Sequence, residues 1–193
     1  MDEPSWVQVE AGAVTIEENW LFRLRRERYR SRGTGREHDY YVLHLADAVN
    51  VVALTPDRRL LLVRQFRAGS GRDSLETPGG LLNPGEDPLE AGARELREET
   101  GYAGGPPRSL GAVWSNPSLL SSRITTILVE EARPVAPTAF DPHEELSLAL
   151  VPESEVASML ADGRLDHALV VQGLLTWMAW RDGRLDLGAR REP

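Results

Sequence analysis

Residues 80–101 read GLLNPGEDPLEAGARELREETG. In order, the stretch carries a glycine bend, a helix start, a helix body and a helix stop. Asp87 stands where an N-cap is wanted, Pro88 suits the first helical position, and Glu90 offers the acid of a capping box. Gly101 closes the helix. The predicted helix therefore runs from about Pro88 to Thr100.

On that helix Glu95, Glu98 and Glu99 stand at i, i+3 and i+4 and share one face. Like charges so placed destabilise a helix by roughly 0.2–0.5 kcal/mol per pair. The cluster calls for a cation, and Arg94 offsets only part of its charge. Hard oxygen donors select Mg²⁺ or Mn²⁺. By spacing alone, a solvated acidic face is the competing reading. Leu89, Ala93 and Leu96 lie opposite and are expected to pack on a sheet.

Upstream, runs rich in β-branched and aromatic residues read as strands at Trp20–Arg25, Tyr40–Leu45, Ala48–Leu54 and Leu60–Val63. Downstream, Ile124–Val129 and Leu146–Val151 read likewise. Two further helices are expected, at about Glu153–Ala161 and Ala168–Arg181; Leu169, Leu174, Leu175, Trp177 and Met178 are to pack the core from the latter. Strands, a helix, more strands and two helices imply an α+β fold, an α-β-α sandwich with a mixed sheet.

The chain has 193 residues, 41% of them hydrophobic, enough for one domain with a terminal extension. It has no cysteine, which excludes disulfides and thiolate metal sites. Met1-Asp2-Glu3-Pro4 lacks the basic start of a signal peptide, and the longest apolar stretch, near Ala168–Trp180, is too short for a bilayer. The expectation is a cytoplasmic protein with no membrane partner. A net charge of -8 argues against nucleic acid as a partner. Every basic residue is Arg, and Arg23, Arg25, Arg26, Arg28, Arg30 and Arg32 crowd one segment. They read as the solvated face of a strand, with contact to a substrate phosphate as the sharper alternative.

The spacing from Gly80 through Glu86 to Arg94-Glu95-Leu96-Arg97-Glu98-Glu99-Thr100-Gly101 resembles the signature of the Nudix hydrolases at every fixed position. Tyr102 stands where that family usually has an aliphatic residue. The resemblance implies the Nudix fold over about Ala46–Ala179, within a domain of residues 46–193. It implies Glu95 and Glu99 as main metal ligands, with Glu98 as a further ligand or partner of a metal-bound water. The Gly79 carbonyl would join them, Glu86 would be an outer acid, and Arg94 would orient the carboxylates. The implied reaction is metal-assisted attack of water on a diphosphate.

Outside the signature, Arg64-Gln65-Phe66-Arg67 and Glu76-Thr77-Pro78-Gly79-Gly80 resemble the branch that cleaves ADP-ribose and nucleoside diphosphate sugars. Pro117 fills a proline position of that branch. Arg67 is read as a phosphate ligand, against a plain surface ion pair, and Glu76 as a partner of a ribose hydroxyl or of a substrate-orienting arginine. Arg64 joins this substrate-binding set. In Asp141-Pro142-His143-Glu144-Glu145, Glu144 is the candidate late metal ligand or general base and Glu145 the second, against simple loop capping. Pro142 replaces an acid of the branch, and Ser115–Arg123 departs from its serine-proline-glycine loop, so the sugar is left open. Trp114 reads as core in preference to base stacking, His143 as a solvated turn, and His38, His44 and His167 as structural. Residues 1–45 form a strand-rich extension that in this branch exchanges across a homodimer; Trp6, Trp20 and Phe22 suit such burial. The expected activity yields a nucleoside monophosphate and a sugar phosphate. Alternatives are another nucleoside diphosphate derivative, such as GDP-mannose or a dinucleotide, or a sensing module that binds without turnover.

Overall fold

A computed structural model of the chain describes residues 3–139 and 145–186, which form two compact units. The first unit comprises residues up to Asp47 together with Trp114–Arg123; the second comprises Ala48–Val113 and the residues from Ile124 onward.

In the first unit, β1 (Trp6–Gln8), β2 (Val14–Glu18), β3 (Arg23–Ser31) and β4 (Glu37–His44) make an antiparallel sheet. β4 runs along one edge of β3, and β1 and β2 share the other. The arginine-rich run is a strand because its charges meet acids across the ladder. Arg28 lies opposite Asp39 and grips it at 2.7 and 3.1 Å, and Arg30 lies opposite Glu37 at 2.7 Å. Such cross-strand pairs favour the register. The other arginines of the run pair with Glu18, Glu27, Asp39 and Glu3. The run is thus a strand whose arginines have acids as partners and are half-buried to exposed. The strand begins later than expected, at Arg23. Asn19 Oδ1 accepts from the N–H groups of Leu21 and Phe22 at 2.9 and 3.0 Å, an Asx turn that leaves Trp20 91% exposed.

The second unit contains β5 (Ala48–Ala53), β6 (Arg59–Arg67), β7 (Arg72–Glu76), β8 (Gly79–Leu81), α1 (Pro88–Thr100), β9 (Tyr102–Ala103) and β10 (Arg108–Trp114). It continues with β11 (Arg123–Val129), β12 (Arg133–Pro134), β13 (Ser147–Pro152), α2 (Val156–Ala161) and α3 (Ala168–Arg181). One sheet has the order β10-β11-β5-β8, with β5 parallel to β11 and antiparallel to β8; a second has the order β13-β6-β7. Alternation along the central strands divides the core. Val49, Val51 and Ala53 of β5, Leu61 of β6 and Ile127 of β11 pack with Ala91 and Leu96 of α1. Val52, Leu60, Leu62 and Leu128 pack with Val156, Met159, Val170, Leu174 and Trp177 from α2 and α3. Successive strand residues thus serve opposite faces, the α-β-α sandwich expected of the pattern.

The helices differ from expectation in detail. Ala93 is exposed, and Ala91 and Gly92 are buried in its place. On α3 Leu175 is 52% exposed, one turn-edge away from the buried Leu174. The second helix starts later than Glu153: Glu153–Glu155 is a 3₁₀ turn whose acid is held by Arg58 and Arg181 at 2.6 and 2.9 Å. Among the described residues no helix is long and apolar enough to cross a membrane.

Leu96 is 1% exposed and is the chief apolar anchor of α1 on the sheet. Leu96→Ala is expected to cost about 3 kcal/mol of stability. Urea unfolding at neutral pH checks this; a loss below roughly 1 kcal/mol contradicts the packing described.

Candidate active site

Local chemistry sets the position of α1. Asp87 accepts from Leu89 N–H at 2.8 Å, Pro88 opens the helix, and Gly101 ends it at φ 74°, left-handed, donating its N–H to Arg97 O. Ahead of it, Gly79 and Gly80 pair with Asn50 and Val49 of β5. A Cβ on Gly79 would stand 2.2 Å from Val49 O, and one on Gly80 would stand 2.5 Å from Glu95 Oε1. Only residues without a side chain let the strand, its neighbour and the helix carboxylate approach this closely.

Four carboxylates gather at this junction. Glu99 is 4% exposed, and its Oε2 accepts from Gly79 N–H at 3.0 Å. Glu95 faces Gly80. Arg94 stands between the others: its Nε and Nη2 grip Glu86 at 2.8 and 3.0 Å. Its Nη1 donates to Glu95 Oε1 at 2.7 Å and to Glu98 Oε2 at 3.1 Å, and Nη2 also reaches Leu81 O at 3.2 Å. This guanidinium, further helped by an N–H from Asn83, lowers the Glu86 carboxyl from 4.5 to about 2. The same carboxylates raise the Arg94 pKa, the hydrogen bond to Glu86 foremost.

The donor set suits a hard divalent cation: every side-chain ligand offered is a carboxylate oxygen. The charge also suits one, since Glu86, Glu95 and Glu98 share the Arg94 guanidinium and Glu99 stands on the same helix. Among the described residues no three acids or histidines converge on one metal-sized point. Glu95 and Glu98 instead converge on one nitrogen of Arg94, where a cation would compete for them.

A second set lies on β6 and β7. Arg67 Nε and Nη2 donate to Glu76 Oε1 and Oε2 at 2.9 and 2.7 Å. Glu76 is 3% exposed; burial pushes its carboxyl up, and Arg67, with His167 nearby, pulls it below the ordinary value. The two residues read separately from the sequence are thus one ion pair. Arg64 is exposed on β6. Pro117 belongs to the first unit, in the turn after Trp114. Trp114 is not core: it is 50% exposed, and Arg123 lies over its ring at 5.7 Å. Glu144, with Asp141, Pro142 and His143, lies outside the described residues, whereas Glu145 is exposed. His44 pairs with Glu27 at 2.8 Å, a structural role as expected.

Sequence reasoning missed Asn50. It is 4% exposed, lies beside Gly79 on β5, and donates to Leu169 O of α3 at 2.9 Å. A lone Asn inside the apolar run Ala48–Leu54 was the available signal.

Residues 44–174 match the NUDIX domain. An ADP-ribose pyrophosphatase of Mycobacterium tuberculosis is 29% identical over 163 residues, covering 83% of this chain and 78% of that protein. The ADP compounds hydrolase NudE of Escherichia coli is 29% identical over 161 residues, covering 83% and 80%. A mouse ADP-sugar pyrophosphatase is 41% identical over 88 residues, covering 44% and 39%. The crystal structure of an ADP compounds hydrolase superposes with a TM-score of 0.80 over 96% of this chain and 100% of its own, at 23% identity, a likeness of fold.

The Glu86–Arg94 pair sets an acid limb to stability. A carboxyl lowered on folding stabilises fully above its unfolded value of 4.5, and the contribution is lost as pH falls through the folded value of about 2. Glu86→Gln is expected to unfold at lower urea at neutral pH and to lose less on acidification over that window. Equally steep acid limbs in the two proteins, measured by urea midpoints, would contradict the pairing.

Proposed function

This chain belongs to the NUDIX family, and on that premise we propose that it hydrolyses the diphosphate bond of ADP-ribose or a related nucleoside diphosphate sugar, using Mg²⁺ or Mn²⁺. The products are a nucleoside monophosphate and a sugar phosphate. The observation that carries the reading is the group of carboxylates on α1, drawn up against the Gly79-Gly80 bend around one guanidinium. The relatives named above, an ADP-ribose pyrophosphatase, an ADP compounds hydrolase and an ADP-sugar pyrophosphatase, support the substrate class.

In this reading Glu95, Glu98 and Glu99 hold the cation, with the Gly79 carbonyl and Glu144 completing its shell. Bound there, the cation polarises the diphosphate and lowers the pKa of a water. Arg94 sets the carboxylates' orientation through its hydrogen bonds, a supporting task. Glu144, or Glu145 in its place, takes a proton from water as the oxygen–phosphorus bond forms. The anhydride oxygen leaves with the other phosphate. Arg67 binds a substrate phosphate and Glu76 fixes the angle of its guanidinium; the bidentate pair already restricts that side chain. Arg64 and Pro117 complete the substrate-binding set. Residues 1–45 serve as a dimerisation arm within a homodimer, a role suited to the exposed Ile16, Trp20 and Tyr41.

Glu98→Gln and Glu99→Gln are each expected to lower kcat by at least about a hundredfold while leaving the melting temperature close to that of the parent. Activity surviving both substitutions would sink the metal assignment. The assay is a panel of ADP-ribose, other nucleotide sugars and a dinucleotide with either cation, reading released monophosphate. The same assay in ¹⁸O-labelled water shows which phosphorus is attacked.

A further inference from the structure

The β6–β7 hairpin and the start of α3 enclose a cavity of about 440 Å³, lined among others by Arg67, Ser70, Arg72, Ser74, Asp166 and His167. None of its lining belongs to α1. The charged groups are already paired: Arg67 holds both oxygens of the adjacent Glu76, and Arg72 pairs with Asp166. Two further polar groups are not. Ser74 is 8% exposed, and its hydroxyl, although near Glu76, reaches no partner at hydrogen-bond geometry. His167 Nδ1 is buried and equally unpartnered. His167 is also the N-cap of α3, a helix of 14 residues, and supplies no side-chain hydrogen bond to the first-turn N–H groups.

A helix start without a side-chain cap presents N–H donors and the positive end of the dipole. Here it meets a buried hydroxyl, an imidazole and, at the rim, Arg72, whose side chain is 67% exposed. A group with surplus donors and paired carboxylates takes a ligand rich in acceptors. Two acids stand close, but each is neutralised by its own guanidinium, so the balance of partial charge stays positive.

We propose that this cavity is a phosphate-binding site, taking inorganic phosphate or a phosphate monoester on Ser74, His167 and the N-terminus of α3, with Arg72 closing on it from the rim. The proposal goes beyond the hydrolytic reading, with which it shares only Arg67, a lining residue here and a substrate-phosphate ligand there. Serine and imidazole donate to separate oxygens, the helix N–H groups to a third, and a tetrahedral dianion satisfies all of them at once.

The test is titration calorimetry of the full chain in EDTA, where metal-dependent turnover does not intervene, with inorganic phosphate, ribose 5-phosphate and ribose. Saturable binding of phosphate or ribose 5-phosphate, none of ribose, and about tenfold weakening in Ser74→Ala and in Arg72→Ala are expected. Tighter binding of ribose 5-phosphate than of phosphate assigns the site to monoesters; equal binding assigns it to the free anion. Glu98→Gln, which cripples turnover in the reading above, is expected to bind as the parent does. The Arg72 position is exposed, so that variant keeps the test valid should Ser74→Ala fold poorly. No saturable binding by the parent, or binding that both pocket substitutions leave intact, overturns the proposal.

Discussion

One guanidinium among several carboxylates is the constraint on which the site depends. Arg94 contacts Glu86, Glu95 and Glu98 while Glu99 turns to the Gly79 amide. A helix face carrying acids at i, i+3 and i+4 is locally unfavourable. It is tolerated because a cationic side chain and a backbone donor divide the charge between them. Remove Arg94, and Glu86, Glu95 and Glu98 lose the cation they share.

The rest of the second unit serves to hold that junction still. Alternation along β5, β6 and β11 commits one face to α1 and the other to α2 and α3. α1 therefore cannot slide without losing Leu96 and Ala91 from the core. Behind the bend, Asn50 joins β5 to the first turn of α3 through Leu169 O. A buried amide so used links the two helical layers across the strand that carries Gly79. The bend, the acidic helix and α3 are in this way parts of one packed body.

The Arg67–Glu76 pair shows the same balance on β6 and β7. Burial disfavours the charged carboxyl, and the bidentate guanidinium more than compensates. In the first unit, by contrast, Arg23, Arg26, Arg28 and Arg30 of β3 are matched to acids on neighbouring strands, which favours the register. Arginine enrichment there has a local structural cause.

By itself the sequence determined the elements whose signals are local. The bounds of α1 follow from Asp87, Pro88 and Gly101, and those of α3 from an apolar run; both match the structure. The strands expected at Ala48–Leu54 and Ile124–Val129 are found to within one residue as β5 and β11, because β-branched runs between turn residues admit little else. The acidic cluster was legible for the same reason, its spacing being a property of one helix. What spacing could not decide was which residues meet across the chain. Arg67 and Glu76 became one pair, Trp114 came to the surface against Arg123, and Ala91 and Gly92 took the place of Ala93 in the core. Each of those outcomes turns on the side chains that another segment brings to bear. The cavity between the β6–β7 hairpin and α3 has no trace in any single stretch of sequence, because its walls are contributed by residues about ninety positions apart, such as Arg72 and Asp166. Only packing sets which donors there go unmatched.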